Sequence, residues 1–177
     1  KYKISLIAGE ENFSSDFEIK SNPNYKITSE EYSEFDKYAS HMENQFSEMA
    51  NYVNKNKKLL DRLSDVIKRI DNSKSNLINQ GLDLHKKMQE WDEKMMQRKS
   101  LAYDDVENFP NKFIADYLFI IDEMKGDIPI LTNGVINSMK RLDEKWMSLK
   151  DEIVQILNQD LKNYNKELWA NGIGAVN

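Results

Sequence analysis

Between Tyr32 and Ile70 the apolar residues recur every three and four positions. The series is Tyr32, Phe35, Ala39, Met42, Phe46, Met49, Val53, Leu60, Leu63, Ile67 and Ile70, and only Asn56 interrupts it. That spacing is the helical period, held for more than five heptads. At about 1.5 Å per residue such a helix is about 60 Å long. Its stripe is too wide and too aromatic to face water, so the rest of the chain must cover it. Asn56 predicts either a pairing with another buried polar group that sets the register, or a bend.

The cover comes from later segments. Asp71 to Asn76 is polar and turn-prone, yet the heptad phase runs on through it. Leu77, Leu84 and Trp91 continue one seam position, and Gly81, Met88 and Met95 the other. A single rod of about 100 Å would expose most of this stripe, so a turn with a second helix over about 76–98 is the expected reading. Residues 99–108 form a connection. A third helix is expected from Pro110, with Asn108 as its cap, carrying Phe113, Tyr117, Ile120, Ile121 and Met124. Gly126-Asp127 ends it, and Ile128 to Leu131 reads as an apolar, buried loop. The fourth helix starts after Thr132. Val135, Met139, Leu142, Trp146, Leu149, Ile153, Ile156 and Asp160 keep the spacing, and Tyr164 and Leu168 extend the helix to about Trp169. Asn171-Gly172 is a helix stop, after which Ile173 and Val176 fold back onto the bundle.

The first twenty residues follow another period. Tyr2, Ile4, Leu6 and Ala8 alternate with Lys1, Lys3, Ser5 and Ile7. Gly9-Glu10-Glu11-Asn12 supplies turn chemistry, and Phe13, Phe17 and Ile19 resume on one face. A two-stranded hairpin is marginal alone. The expectation is that residues 1–26 are the last strands of an upstream β-sandwich, and that residues 27–177 form an antiparallel bundle of four helices, two of them long. Thr28 with Glu31 three residues on fits a capping box at the first helix. The chain begins at Lys1 inside an apparent strand, which reads as a fragment or processed chain whose targeting information is missing.

Composition narrows the chemistry. Net charge is −5, which argues against nucleic acid or an anionic membrane as partner. The basic cluster Lys55, Lys57, Lys58, Arg62, Lys68 and Arg69 is interrupted by Asp61 and Asp65 and reads as a solvated helix face. There is no cysteine, so disulfides, thiolate catalysis and Cys-based metal sites are excluded. No run approaches the roughly 20 apolar residues of a membrane span. His41 and His85 each lack a ligand-type residue at helical spacing, and no Glu-x-x-His pair is present. Nothing resembles a nucleophile elbow or a phosphate loop. Asp104-Asp105 is the best carboxylate pair for hydrolysis, and a helix-cap or loop hydrogen-bonding role is its expected one. The methionines and tryptophans fall in seams and read as core. Met95-Met96 and Phe109 are less clearly buried, and an exposed patch there would be a docking surface. No metal or cofactor is expected.

One stretch carries a family resemblance. Tyr103-Asp104-Asp105-Val106-Glu107-Asn108-Phe109-Pro110-Asn111-Lys112-Phe113 resembles the "QDVINFPNKL" segment near the end of a family of exported bacterial proteins with a large sortilin-like β-propeller. These are often labelled BNR-repeat or glycosyl-hydrolase-like and are common in the Bacteroidota. Ile128 to Gly134, Leu142 to Trp146, Ile156 to Asp160 and Tyr164 to Gly172 follow in the family's order. The hairpin is similar to the closing strands of the sandwich that precedes the family's helices. The family's Asp-Pro-Arg is Asn22-Pro23-Asn24 here, so its arginine has no counterpart. The resemblance implies an exported chain lacking its propeller, and the family's enzyme label rests on that propeller.

The resulting expectation is a non-catalytic structural or protein-interaction module. It forms a monomeric bundle whose partners are other domains of its parent or another protein. The alternative is an accessory domain that completes or gates a hydrolase site on the propeller. A third reading, a self-associating rod, requires an unbroken helix through Asn72. Tyr103, Asp104, Asp105, Asn108, Phe109 and Pro110 are the candidate interaction or structural-motif residues.

Overall fold

A computed structural model describes residues 1–126 and 128–177, apart from the side chains of Tyr103 and Val106. Strands β1 (Tyr2–Ala8) and β2 (Glu11–Phe17) form an antiparallel hairpin. The two-residue turn is Gly9-Glu10, and Gly9 has φ +64°, the sign a glycine-first hairpin turn requires. Register pairs Leu6 with Phe13 and Tyr2 with Phe17, whose rings stack at 5.5 Å. Tyr2, Ile4, Leu6, Phe13 and Phe17 therefore share one face. Every residue through Lys26 is exposed, so the helices do not cover that face. Ile19 lies beyond the end of β2 and is exposed.

Helix α1 spans Ser29–Arg69. Its start is the expected capping box. The Glu31 N–H donates to Thr28 Oγ1 at 3.2 Å, and Glu31 Oε2 accepts the Thr28 N–H at 2.8 Å. Met42, Met49, Val53, Asn56, Leu60, Leu63 and Ile70 are buried, as the spacing requires, and Leu59 joins them. Phe35, Ala39 and Phe46 are partly buried against the same core.

The helix does stop before Asn72. Ile70 is extended, Asp71 accepts the Ser73 N–H at 2.8 Å, and a 3-10 turn over Asn72–Lys74 leads into α2 (Ser75–Met95). The phase ran on because Ile70 and Leu77, one heptad apart, both face the core on either side of the turn. This excludes an uninterrupted rod. Helix α2 ends three residues short of the expected boundary, where Met96 turns extended.

Helix α3 is Phe113–Met124. It starts later than expected, so Asn108 is not its cap and Pro110 is not in its first turn. Asn108 has φ −93° and ψ −24°, a helical backbone that closes a preceding 3-10 turn over Tyr103–Glu107. An N-cap needs an extended backbone, and Lys112 supplies it here. The helix ends at Met124. Asp127, expected in the terminating pair, lies outside the described residues. The loop that follows is not buried: Ile128 and Ile130 are exposed, and only Pro129 and Leu131 are partly covered. Apolar composition there does not translate into burial.

Helix α4 (Asn133–Gln155) is capped by Thr132, whose Oγ1 accepts the Val135 N–H at 3.3 Å. A π turn over Ile156–Asp160 joins it to α5 (Leu161–Ala170), and the backbone stays helical throughout. The π turn adds one residue to the phase. Leu161 therefore takes the buried position expected of Asp160, and Asp160 faces outward to bond Lys87 Nζ at 2.8 Å. The chain ends as expected. Gly172 has φ +74°, its N–H reaches Trp169 O, and the Ile173 N–H reaches Leu168 O at 2.9 Å. Val176 is buried, held through its N–H and carbonyl by the Asn165 amide.

The architecture is thus an antiparallel helical bundle behind a β-hairpin, counting α4 and α5 as one helical unit. No described helix is long and apolar enough to cross a membrane.

Candidate interaction site

The connection from Met96 to Lys112 straps the end of the bundle and holds the residues singled out in the sequence. Its anchor is Asp92, in the last turn of α2 and only 4% exposed. Arg98 grips this carboxylate with both Nε and Nη2, the latter at 2.8 Å. That fork satisfies a buried charge, and in return Asp92 raises the Arg98 pKa above its ordinary value. Gln97 then donates to Pro110 O at 3.2 Å, which ties the two ends of the strap together.

Asp105 organises the middle. Its carboxylate accepts the N–H groups of Leu101 and Ala102 at 2.8 and 2.9 Å. Those two bonds, that to Ala102 foremost, hold its pKa below the ordinary carboxylate value. The Asn108 and Phe109 N–H groups both return to the Asp105 carbonyl at 3.0 Å. Asp105 thus hydrogen-bonds within the loop, whereas Asp104 makes no such side-chain bond among the described residues. Asp104 and Asn108 are exposed, Phe109 is half-buried and Pro110 is exposed. The backbone of Tyr103 opens the 3-10 turn, and its side chain lies outside the described residues.

Two recesses flank Phe109. One, of about 220 Å³, lies between the end of α2, the strap and α3, and is lined by Met95, Met96, Phe109, Ile114, Ala115 and Leu118 among others. The second, of about 370 Å³, holds Asp92, Glu93, Arg98, Lys99, Pro110 and Lys112 around Met96 and Phe109. The structure therefore gathers Phe109, Pro110, Met95 and Met96 at one end of the bundle. Asp104 and Asn108 line neither recess. The carboxylates there are engaged, Asp92 by Arg98 and Glu93 by the Gln89 amide at 3.0 Å. The lining offers apolar contact and positive charge rather than a paired acid and base. Among the described residues, no group of three or more His, Asp or Glu side chains is placed to hold a metal ion.

Helical spacing alone left His41 without a partner. The structure sets its Nε2 2.8 Å from Asp143 Oδ2, across α1 and α4. Tyr117 of α3 donates to the other oxygen of Asp143 at 3.1 Å. Burial, and then the Asp143 charge, push the phenol pKa far above its ordinary value. Local spacing cannot reveal a pair 102 residues apart. Nearby, the Trp146 indole donates to Gln45 and Glu48, and Lys150 reaches Glu48 at 2.6 Å. This network joins three helices on a part-buried face.

No family model, curated protein or solved structure matches the chain.

Proposed function

We propose that the chain is a non-catalytic structural and protein-interaction module, with the hairpin as its attachment element and the bundle as a rigid body. The supporting observation is the hairpin's apolar face. Tyr2, Ile4, Leu6 and Phe13 are each more than half exposed and Phe17 is 40% exposed, while most seam residues of the bundle are buried or partly buried against one core. Five large apolar side chains on one side of a two-stranded sheet need a second layer, and isolated hairpins are marginal. Residues 1–26 then belong to a β-sandwich, and the exposed face is where its other sheet packs. The strap around Phe109 is a second contact surface, toward a neighbouring domain or protein.

The resemblance to exported sortilin-like propeller proteins supplies the proposed parent and the extracytoplasmic setting. The test is removal of residues 27–177 from that parent, followed by assay against a glycan and peptide panel. Unchanged activity, together with loss of solubility or of a binding partner, is the expected result. Hydrolytic activity that disappears with the bundle would overturn the non-catalytic reading and favour a domain that gates the propeller site.

A further inference from the structure

The chain contains two Asn-Gly steps, Asn133-Gly134 and Asn171-Gly172, and the fold treats them oppositely. Both lie at helix ends, and a glycine, having no β-carbon, leaves its own backbone nitrogen open to approach. At α5 the step is locked. The Asn171 side-chain amide donates to Glu167 O at 2.9 Å, and its backbone N–H is bonded to Glu167 O and Leu168 O. The Gly172 N–H is engaged by Trp169 O at 3.0 Å, and Asn171 O accepts Lys74 Nζ at 2.9 Å.

At α4 the step is open. Asn133 is the first helical residue and is exposed. The Thr132 cap is taken by Val135 and Ile136 and passes over Gly134. Among the described residues, neither the Gly134 N–H nor the Asn133 side-chain amide has a hydrogen-bond partner. Gly134 is one of the first-turn positions whose N–H has no place in the helix ladder. Among the described residues its surroundings are open too, since an added β-carbon would meet only Thr132 Oγ1 at 3.7 Å.

We propose that Asn133 is a site of spontaneous deamidation and that Asn171 is protected from the same reaction by its cap. Hydroxide removes the Gly134 amide proton. The nitrogen attacks Asn133 Cγ, forming a five-membered cyclic imide. The bond from Cγ to the side-chain nitrogen breaks, and that nitrogen takes a proton from water and leaves as ammonia. Water then opens the imide at either carbonyl, giving Asp or isoAsp, with no change in oxidation state. The Asp product places a negative charge at the positive end of α4, where it is favourable. The isoAsp product inserts a methylene into the backbone between Thr132 and Val135 and breaks the cap.

The experiment ages the full chain at mildly alkaline pH and body temperature and maps its peptides by mass and by isoaspartyl labelling. Conversion at Asn133 is expected to run about tenfold ahead of Asn171, and Gly134→Ala should slow it about tenfold by crowding the nucleophile. That variant keeps the fold, because the position is open and not left-handed. Equal or faster conversion at Asn171, no conversion at either step, or an unchanged rate in Gly134→Ala would each overturn the proposal.

Discussion

The hydroxyl of Tyr164 on α5 occupies the space that a side chain at Gly81 on α2 would need. A β-carbon built on Gly81 falls 2.4 Å from that oxygen and 2.8 Å from Ile67 Cγ1. Three helices therefore meet at a point that admits only a hydrogen. The phenol uses the proximity by donating to Leu77 O at 3.2 Å. Helix propensity would favour alanine over glycine here by about 1 kcal/mol. Overpacking outweighs it, because Tyr164 is buried and its hydroxyl is held by Leu77 O, so relieving the clash costs that bond. Gly81→Ala should therefore destabilise the fold by about 1–3 kcal/mol in urea unfolding. Combined with Tyr164→Phe, the two costs should not add, since the phenylalanine removes the closest clashing atom. Full additivity would mean that the helices shift apart instead.

Arg98→Ala should cost about 2–4 kcal/mol, because it leaves the Asp92 carboxylate buried without its fork. Asp92→Asn in the same background should recover part of the loss by removing the stranded charge. The recovery, read from chemical denaturation midpoints, separates an electrostatic penalty from lost packing of the arginine stem. Phe109→Ala should cost only about 1–2 kcal/mol, below the range of a fully buried aromatic, because the residue is only partly buried beside the recesses.

Three carboxylates report on local structure through pH. Glu31 is held below its ordinary pKa by hydrogen bonds from Thr28, Asp71 by those from Ser73, and Asp105 by those from Ala102 and Leu101. A carboxylate depressed in the folded state stabilises above its unfolded pKa and loses that contribution as pH falls through the folded value. NMR titration should place all three midpoints below those of free Asp and Glu, about 3.9 and 4.3. Asp105→Asn should remove the strap's share of this pH dependence and leave that of Glu31 intact.

Asn56 sits in the α1 seam at no exposure, with Nδ2 donating to Met88 O at 3.0 Å. Its Oδ1 has no partner among the described residues. The pairing is with a backbone carbonyl rather than a second polar side chain, and an orphan oxygen offsets what the bond contributes. Asn56→Leu should therefore be neutral or stabilising by up to about 1 kcal/mol. If it destabilises strongly, or gives more than one associated state on sizing, the asparagine serves register.

Helical spacing made most of the core of α1 and α2 readable, Asn56 included, but missed Leu59 and Asp92. It could not say what Asn56 meets, because Met88 lies 32 residues on, in another helix. The same limit hid the His41–Asp143–Tyr117 junction. The Ile128–Leu131 loop misled because apolar residues outside regular structure carry no period to show which side is covered. At the strap, Asp105 was legible as a loop organiser, whereas the Arg98–Asp92 fork was not.

The π turn is the one departure that the sequence did contain. Ile156 and Leu157 are both apolar, an aspartate stands in the next expected seam position, and Leu161 follows one residue late. That is the signature of a single added residue in a regular stripe. Deleting Asn158, an exposed member of the turn, should turn Ile156–Asp160 into ordinary α-helix and restore uninterrupted three-four spacing from Ile153 to Leu168. Stability should change by no more than about 1–2 kcal/mol, the size of a few altered surface contacts. Deleting Glu144 instead shifts the buried stripe between Leu142 and Trp146 out of phase, and should cost more than about 4 kcal/mol. Circular dichroism melts of the two deletions test this directly. If removal of Asn158 is as damaging as removal of Glu144, the π turn is a geometry that the bundle requires, set by the approach of α2 to Asp160 and Tyr164.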